Sequence, residues 1–136
     1  MKYTYKVLIA DADEEILSTL KTHLEQENYE VETTQSAISA LEKVKSDKYH
    51  IVLMDIDLPE MNGVELLKEI KSYDALTQII IMAGHSTMEK ILNALEYGAN
   101  DYIQKPFSDV KYITQVMNCS VEKLERWRKS IIQIVQ

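Results

Sequence analysis

Short apolar runs alternate along the chain with segments in which apolar residues recur every three or four positions. The runs predict strands buried on both faces, and the recurring spacing predicts amphipathic helices. The strand candidates are 7–10, 29–34, 51–55, 79–82 and 100–104. The helix candidates carry Ile16 to Leu24, Ile38 to Val44, Val64 to Ile70, Met88 to Leu95, and a last segment from Ser108. Strands alternating with helices predict one α/β domain, with a doubly wound parallel sheet covered on both faces.

Polar residues and glycine at the segment boundaries agree with this division. Asp13 and Ser36 stand where a side-chain oxygen can accept the first free amides of a helix. Asn28 and Gly98 stand where the first and fourth helices should end. Asp13 could also be a metal ligand, but a helix cap is the better interpretation.

Size and charge restrict the class of protein. The chain has 136 residues and a net charge of -7, so we expect one domain without a nucleic-acid surface of its own. A single cysteine, Cys119, cannot form an internal disulfide, which favours a cytoplasmic location. The chain begins without a signal peptide, and no apolar run is long enough to cross a membrane.

Two acids and a lysine each end a different predicted strand. Asp11 follows the first apolar run, Asp55 closes the third, and Lys105 follows the fifth. Open α/β sheets bind ligands in the crevice outside the carboxyl ends of their strands. Because all three side chains should meet there, the pattern predicts a pocket for magnesium and a phosphoryl group.

From about Lys6 to about Val121 the chain resembles the receiver domain of two-component response regulators. The resemblance is carried by the segments 7–11, 53–63 and 98–107, which read VLIAD, LMDIDLPEMNG and GANDYIQKPF. It implies a flavodoxin-like, doubly wound five-stranded parallel sheet in the order 2-1-3-4-5. It also implies a phosphorelay function, in which a sensor histidine kinase donates a phosphoryl group to the domain.

The resemblance assigns roles to individual residues around a phosphoacceptor. Asp55 would take the phosphoryl group, and Mg²⁺ would neutralise the developing charge. Asp55 and the backbone carbonyl of Asp57 would bind the metal directly, and Asp11 would bind it through water.

The remaining roles concern the phosphoryl oxygens and the switch. Lys105 would pair with these oxygens as a point charge, and the backbone N–H groups of Asp57 and Gly84 would complete the cradle. Tyr102 stands at the aromatic switch position of the family, where the ring turns inward on activation.

Two positions depart from the family pattern. Ala12 replaces the second acid of the pair that ends the first strand, so we expect weak Mg²⁺ binding unless Asp57 or Asp13 supplies a carboxylate. Ala83 replaces the Thr or Ser whose hydroxyl contacts the phosphoryl group. Ser86 and Thr87 follow, and we expect them in the loop or first helical turn. If the Asp57 carboxylate did not bind a cation, it would repel the phosphoryl group.

The alternative function is a degenerate receiver that binds a protein without phosphorylation.

The last helix is longer than the fold requires. We divide the chain into a receiver at 1–122 and a helical extension at 123–136. Apolar residues from Leu124 through Trp127 to Ile134 recur at a 4-3 spacing, with nothing evident in the domain to cover them. We expect this extension to form a homodimer, or to reach an output partner or a covalently linked output domain. An enzyme is not expected, because no nucleophile elbow or glycine-rich phosphate loop occurs.

Overall fold

The computed structural model describes residues 3–84, 88–107 and 109–135, and side chains as far as residue 131. Within these ranges strands and helices alternate as predicted. The strands are β1 (Lys6–Ala10), β2 (Glu30–Thr34), β3 (Ile51–Asp55), β4 (Gln78–Ala83) and β5 (Asp101–Gln104). The helices are α1 (Glu14–Gln26), α2 (Ala37–Ser46), α3 (Gly63–Tyr73), α4 (Met88–Glu96) and α5 (Val110–Val135).

The strands form one parallel sheet in the order β2-β1-β3-β4-β5, which confirms the predicted order. Ala10 pairs with Met54, and Asp55 pairs with Met82. The central strands therefore end at one level, and the residues that follow them share a single edge of the sheet.

Two apolar layers cover the sheet, one on each face. Side chains from α1 and α5 pack on one face, and side chains from α2, α3 and α4 pack on the other. Alternate strand residues supply the two layers, as Leu8 and Val7 do from β1. This arrangement explains why the strands are apolar runs instead of alternating apolar and polar residues.

Local sequence fixes where the helices begin. Asp13 caps α1 by accepting a hydrogen bond from the Glu15 N–H at 2.9 Å, and Ser36 caps α2 in the same way, so both predicted caps are confirmed. Gly63 opens α3, where an added Cβ would lie 2.4 Å from the Ile56 carbonyl oxygen. A side chain there would force the loop after β3 to move. Ser108, the predicted start of the last helix, lies outside the described residues.

Helix α5 has 26 residues and spans about 39 Å at about 1.5 Å per residue. The expectation that nothing covers the helix from Leu124 onward is wrong for its first turns. Leu124 packs against the core layer, the Tyr5 hydroxyl donates to Glu125, and the Arg128 guanidinium lies 4.7 Å above the Tyr3 ring. The N-terminal segment thus covers part of the extension.

Farther along α5, Ile131 is exposed, and the side chain of Ile134 lies outside the described part of the chain. No described helix, α5 included, has both the length and the apolar character needed to cross a membrane.

Candidate functional site

Three strands deliver the predicted site residues to the carboxyl edge of the sheet. Asp11 follows β1, and its N–H donates to the Thr34 carbonyl at 3.1 Å. Asp55 is the last residue of β3. Lys105 follows β5, and its N–H donates to the Ala83 carbonyl at 2.7 Å. These backbone bonds extend the sheet pairing by one residue and hold Asp11 and Lys105 in place.

The Lys105 ammonium lies between the two carboxylates. Its Nζ is 2.5 Å from Asp11 Oδ2 and 3.0 Å from Asp55 Oδ2. The side chains of Lys105, Asp11 and Asp55 are 17%, 2% and 15% exposed. One cation therefore compensates two largely buried anions, and the three charges together carry a net negative charge.

The surroundings of Lys105 keep its ammonium charged. Burial alone would lower the pKa of Lys105, but the hydrogen bonds to Asp11 and Asp55 outweigh it, and the pKa lies above its usual range. Lys105 is consequently positively charged at neutral pH.

The other acids near this edge point elsewhere. The Asp13 carboxylate is occupied in capping α1. The Asp57 carboxylate is 2.7 Å from Lys90 Nζ of α4, whereas the Asp57 backbone N–H donates to Asp55 Oδ1 at 3.0 Å. Thus the backbone N–H of Asp57 faces Asp55, while its side chain is held by α4.

The two positions that depart from the family pattern lie in different surroundings. Ala12 is exposed in the loop after β1, and Ala83 is fully buried at the end of β4, where a methyl group stands in place of a hydroxyl. Gly84 follows Ala83 and is half-buried. Tyr102 in β5 is 37% exposed. Ser86 and Thr87 lie outside the described residues.

Mg²⁺ takes oxygen ligands and is commonly bound by one or two carboxylates with several waters. Among the described residues, no group of three or more acidic, His or Cys side chains is arranged to hold a metal. Asp11 and Asp55 nevertheless converge on one point, as their shared contact with Lys105 shows. Two converging carboxylates, with water at the remaining positions, fit a weak magnesium site.

Two side chains that make contacts at this edge were not predicted from the sequence. Lys90 pairs with Asp57, and Gln35 donates from Nε2 to the Ala12 carbonyl at 2.9 Å. Neither residue breaks the helical or strand pattern around it. Both contacts join segments distant in the chain, so no local signal could have identified them.

A family model described as the response regulator receiver domain matches residues 7–117. The chain belongs to this family. It is therefore a receiver domain of two-component response regulators, a family of phosphorelay signalling proteins. The fold and family predicted from the sequence are both confirmed.

Two curated relatives illustrate the similarity of the receiver. The nisin biosynthesis regulatory protein NisR of Lactococcus lactis subsp. lactis is 36% identical over 127 residues, which cover 93% of this chain and 55% of that protein. The response regulator ArlR of Staphylococcus saprophyticus is 34% identical over 111 residues, covering 82% of this chain and 50% of that one. The chain spans about half the length of the curated relatives it matches.

Solved structures agree with the family. A CheY-like receiver domain protein from Methanospirillum hungatei JF-1 superposes with a TM-score of 0.83 at 31% identity, covering 91% of this chain and 99% of that one. NtrX from Brucella abortus gives a TM-score of 0.87 at 27% identity, covering 93% of this chain and 29% of that one.

Proposed function

We propose that this receiver accepts a phosphoryl group on Asp55 from the phosphohistidine of a sensor histidine kinase, and signals by changing a protein interface. The observation that supports this most is the Lys105 ammonium, which lies 3.0 Å from Asp55 Oδ2 and also contacts Asp11. A phosphorylation-independent binding module would have no need of a lysine and two acids at the ends of three strands.

In the transfer, an Asp55 carboxylate oxygen forms a bond to phosphorus as the bond from phosphorus to the histidine nitrogen of the kinase breaks. Lys105 is within reach of the transferred oxygens and offsets their negative charge. The Asp57 N–H, which donates to Asp55 Oδ1, and the Gly84 N–H complete the cradle. Because these donors are fixed by backbone geometry, little reorganisation is required at the moment of transfer.

Asp11, Asp55 and the backbone carbonyl of Asp57 would hold Mg²⁺. When bound, Mg²⁺ neutralises charge that develops on the transferring phosphoryl oxygens. We infer weak affinity, because Ala12 removes one carboxylate of the family pattern, Asp13 caps α1, and the Asp57 carboxylate pairs with Lys90.

Ala83 weakens the coupling between phosphorylation and switching. A hydrogen bond to a charged group contributes about 1.5–3 kcal/mol, and a shift from 1:99 to 99:1 between two states needs about 5.5 kcal/mol. Loss of the hydroxyl therefore removes a quarter to a half of that drive. Tyr102, whose ring is 37% exposed, is the side chain that would turn inward in the active state.

A larger assembly for the output is supported by the curated relatives, which are about twice as long as the matched region. We propose that the receiver, residues 1–122, acts through the extension 123–136 on a linked output domain or an output partner in the cytoplasm. Self-association of the extension remains a prediction. The response regulators are a signalling family, and we propose no enzymatic activity for this chain.

Incubation with Mg²⁺ and acetyl phosphate, followed by intact-mass spectrometry, tests the proposed function. We expect one added phosphoryl group in the wild-type chain and none in Asp55→Asn. Asp13→Asn is the matched control, because it removes an acid from the same edge while asparagine caps α1 equally well. A mass shift that persists in Asp55→Asn would exclude Asp55 as the acceptor.

A further inference from the structure

An ion pair joins helix α4 to the loop that follows the phosphoacceptor. Lys90 Nζ lies 2.7 Å from Asp57 Oδ1, and their side chains are 57% and 51% exposed. Asp57 is two residues from Asp55 and donates its N–H to Asp55 Oδ1 at 3.0 Å. Lys90 therefore holds the acid side chain that stands beside the phosphoacceptor.

The charges at this edge divide into two groups. Lys105 contacts Asp11 and Asp55, and Lys90 contacts Asp57. These two ammonium groups and three carboxylates form the ion pairs at the site within the described part of the chain. If Lys90 were neutral, the Asp57 carboxylate would lose the cation that it contacts beside Asp55.

The Asp57 carboxylate can act in two opposite ways. Its negative charge attracts a divalent cation to the pair Asp11 and Asp55, but it repels an incoming phosphodonor. Lys90 opposes both effects, because it neutralises the carboxylate and draws it toward α4. The balance between metal capture and phosphodonor entry thus depends on a side chain of α4.

We propose that Lys90 is a positioning residue for the phosphorylation of Asp55, acting through the Asp57 carboxylate, which it neutralises and holds away from the magnesium site. This assignment rests on the proposed function. Lys90 thereby weakens Mg²⁺ binding and favours approach of the anionic phosphodonor. An exposed ion pair is modest in strength, so the expected changes are about two- to five-fold.

The experiment compares Lys90→Gln with the wild-type chain in two measurements. NMR shifts of the Asp55 and Asp57 amides during a Mg²⁺ titration should show binding about two- to five-fold tighter in Lys90→Gln. The acetyl phosphate concentration at half-maximal phosphorylation rate, with Mg²⁺ saturating, should rise by a similar factor. Lys90→Arg keeps the charge and should restore wild-type values in both measurements.

Two controls separate a local effect from a general change of charge. Lys68→Gln removes an equal charge from α3, where Lys68 Nζ lies over the Tyr97 ring, and should change neither measurement. In a chain that already carries Asp57→Asn, Lys90→Gln should have no more effect than Lys68→Gln, because the carboxylate that Lys90 contacts is absent. An undiminished effect in the Asp57→Asn background, or equal effects of the two lysine variants, would overturn the assignment.

The outcomes also distinguish this inference from the proposed function. A wild-type chain that is phosphorylated, with Lys90→Gln unchanged in both measurements, contradicts the role of Lys90 alone. A wild-type chain that binds Mg²⁺ but takes no phosphoryl group contradicts the proposed function. The Mg²⁺ affinities of wild type and Lys90→Gln then test whether Lys90 weakens metal binding. A wild-type chain that binds no Mg²⁺ and takes no phosphoryl group contradicts both.

Discussion

Two polar side chains at opposite ends of the parallel sheet, Lys105 and His50, have different kinds of partner. At the carboxyl edge, Lys105 is shared by two largely buried carboxylates. At the amino edge, the Lys6 N–H donates to His50 Nδ1 at 2.9 Å, and the Tyr3 hydroxyl lies 3.0 Å from His50 Nε2. The His50 ring has neutral partners, whereas the Lys105 ammonium lies between two charged ones.

This difference shows where the fold accepts an energetic cost for function. Excess negative charge is unfavourable in a partly buried site until a further cation arrives. The amino edge instead fixes the N-terminal segment and α5. There Tyr5 contacts Glu125, and Arg128 lies over Tyr3.

One residue at the amino edge differs from His50 because its side chain has no described hydrogen-bond partner. Gln78 at the start of β4 is fully buried, and neither polar atom of its side chain has a hydrogen-bond partner among the described residues. Its neighbour Thr77 is also buried, but its hydroxyl donates to the Tyr49 carbonyl at 3.1 Å. The two adjacent positions offer a direct test of how well the amino edge is satisfied.

The largest effect is expected at the carboxyl edge, for Lys105→Met. Removing the ammonium leaves the buried Asp11 carboxylate without its cation, so the free energy of unfolding should fall by about 3 kcal/mol. Urea denaturation at neutral pH without Mg²⁺ measures this loss. Adding Asp11→Asn should recover most of it, because the uncompensated charge is then gone. If Lys105→Met were as stable as wild type, the charges at this edge would be solvated well enough to need no pairing.

Smaller changes in the free energy of unfolding, of opposite sign, are expected for substitutions of Gln78 and Thr77 at the amino edge. Gln78→Met keeps a long unbranched side chain and removes the unpaired amide, and should raise the free energy of unfolding by about 1 kcal/mol. Thr77→Val removes a satisfied hydroxyl and leaves the Tyr49 carbonyl without that donor, and should lower it by about 1 kcal/mol. Urea denaturation of both variants measures the difference. A destabilised Gln78→Met would mean that the amide is satisfied, for example by buried water.

A third prediction concerns the pH dependence of the amino edge. Burial, with a contribution from Lys48, places the pKa of His50 below its ordinary value of 6.5. Its Nδ1 must also stay unprotonated to accept the Lys6 N–H. The stability that neutral His50 provides is therefore complete above the unfolded pKa, and is lost as the pH falls through the folded pKa.

We expect His50→Gln to flatten the fall in melting temperature between about pH 7 and about pH 5. Melting curves followed by circular dichroism across this range provide the measurement. Lys48→Gln is the control for the neighbouring charge and should retain most of the slope. Equal slopes in wild type and His50→Gln would show that other groups, such as the carboxylates, control stability in this range.

The smallest effect on stability is expected when the chain is cut after Lys129. Leu124, Glu125 and Arg128 remain in this variant, so all the described contacts of the extension with the receiver are retained. Sedimentation should show a dimer for the full chain and a monomer for the shortened one, with unfolding curves that superimpose. A full chain that is monomeric at high concentration would leave the extension as a connection to an output domain.

Much of the fold and of the site could be predicted from the sequence. The apolar runs fixed the strands because a parallel sheet covered on both faces requires apolar residues at consecutive positions. The proximity of Asp11, Asp55 and Lys105 could be predicted, since residues that end parallel strands share one edge of the sheet. The caps at Asp13 and Ser36 depend only on residues within the same turn, so they were predictable as well.

Helix α4 shows the limit of such patterns. Its spacing predicted a helix through Met88, Ile91, Leu92 and Leu95, and the helix is there. Its buried side is formed by Ile91 and Ala94, while Met88, Leu92 and Leu95 are exposed. Periodicity identifies an amphipathic helix, but the rotation of the helix on the sheet is set by the side chains it meets.

The sequence by itself therefore determined the order of the elements, the sheet, the caps, and the meeting of Asp11, Asp55 and Lys105 at one edge. Only the tertiary structure decided that Lys90 takes the Asp57 carboxylate, and that Tyr5 contacts the extension of α5 at Glu125. The physical reason is the separation along the chain of the residues that interact. A hydrophobic period records which side of its own element a residue occupies, whereas these contacts join elements distant in the chain, and their partners follow from how the helices dock on the sheet.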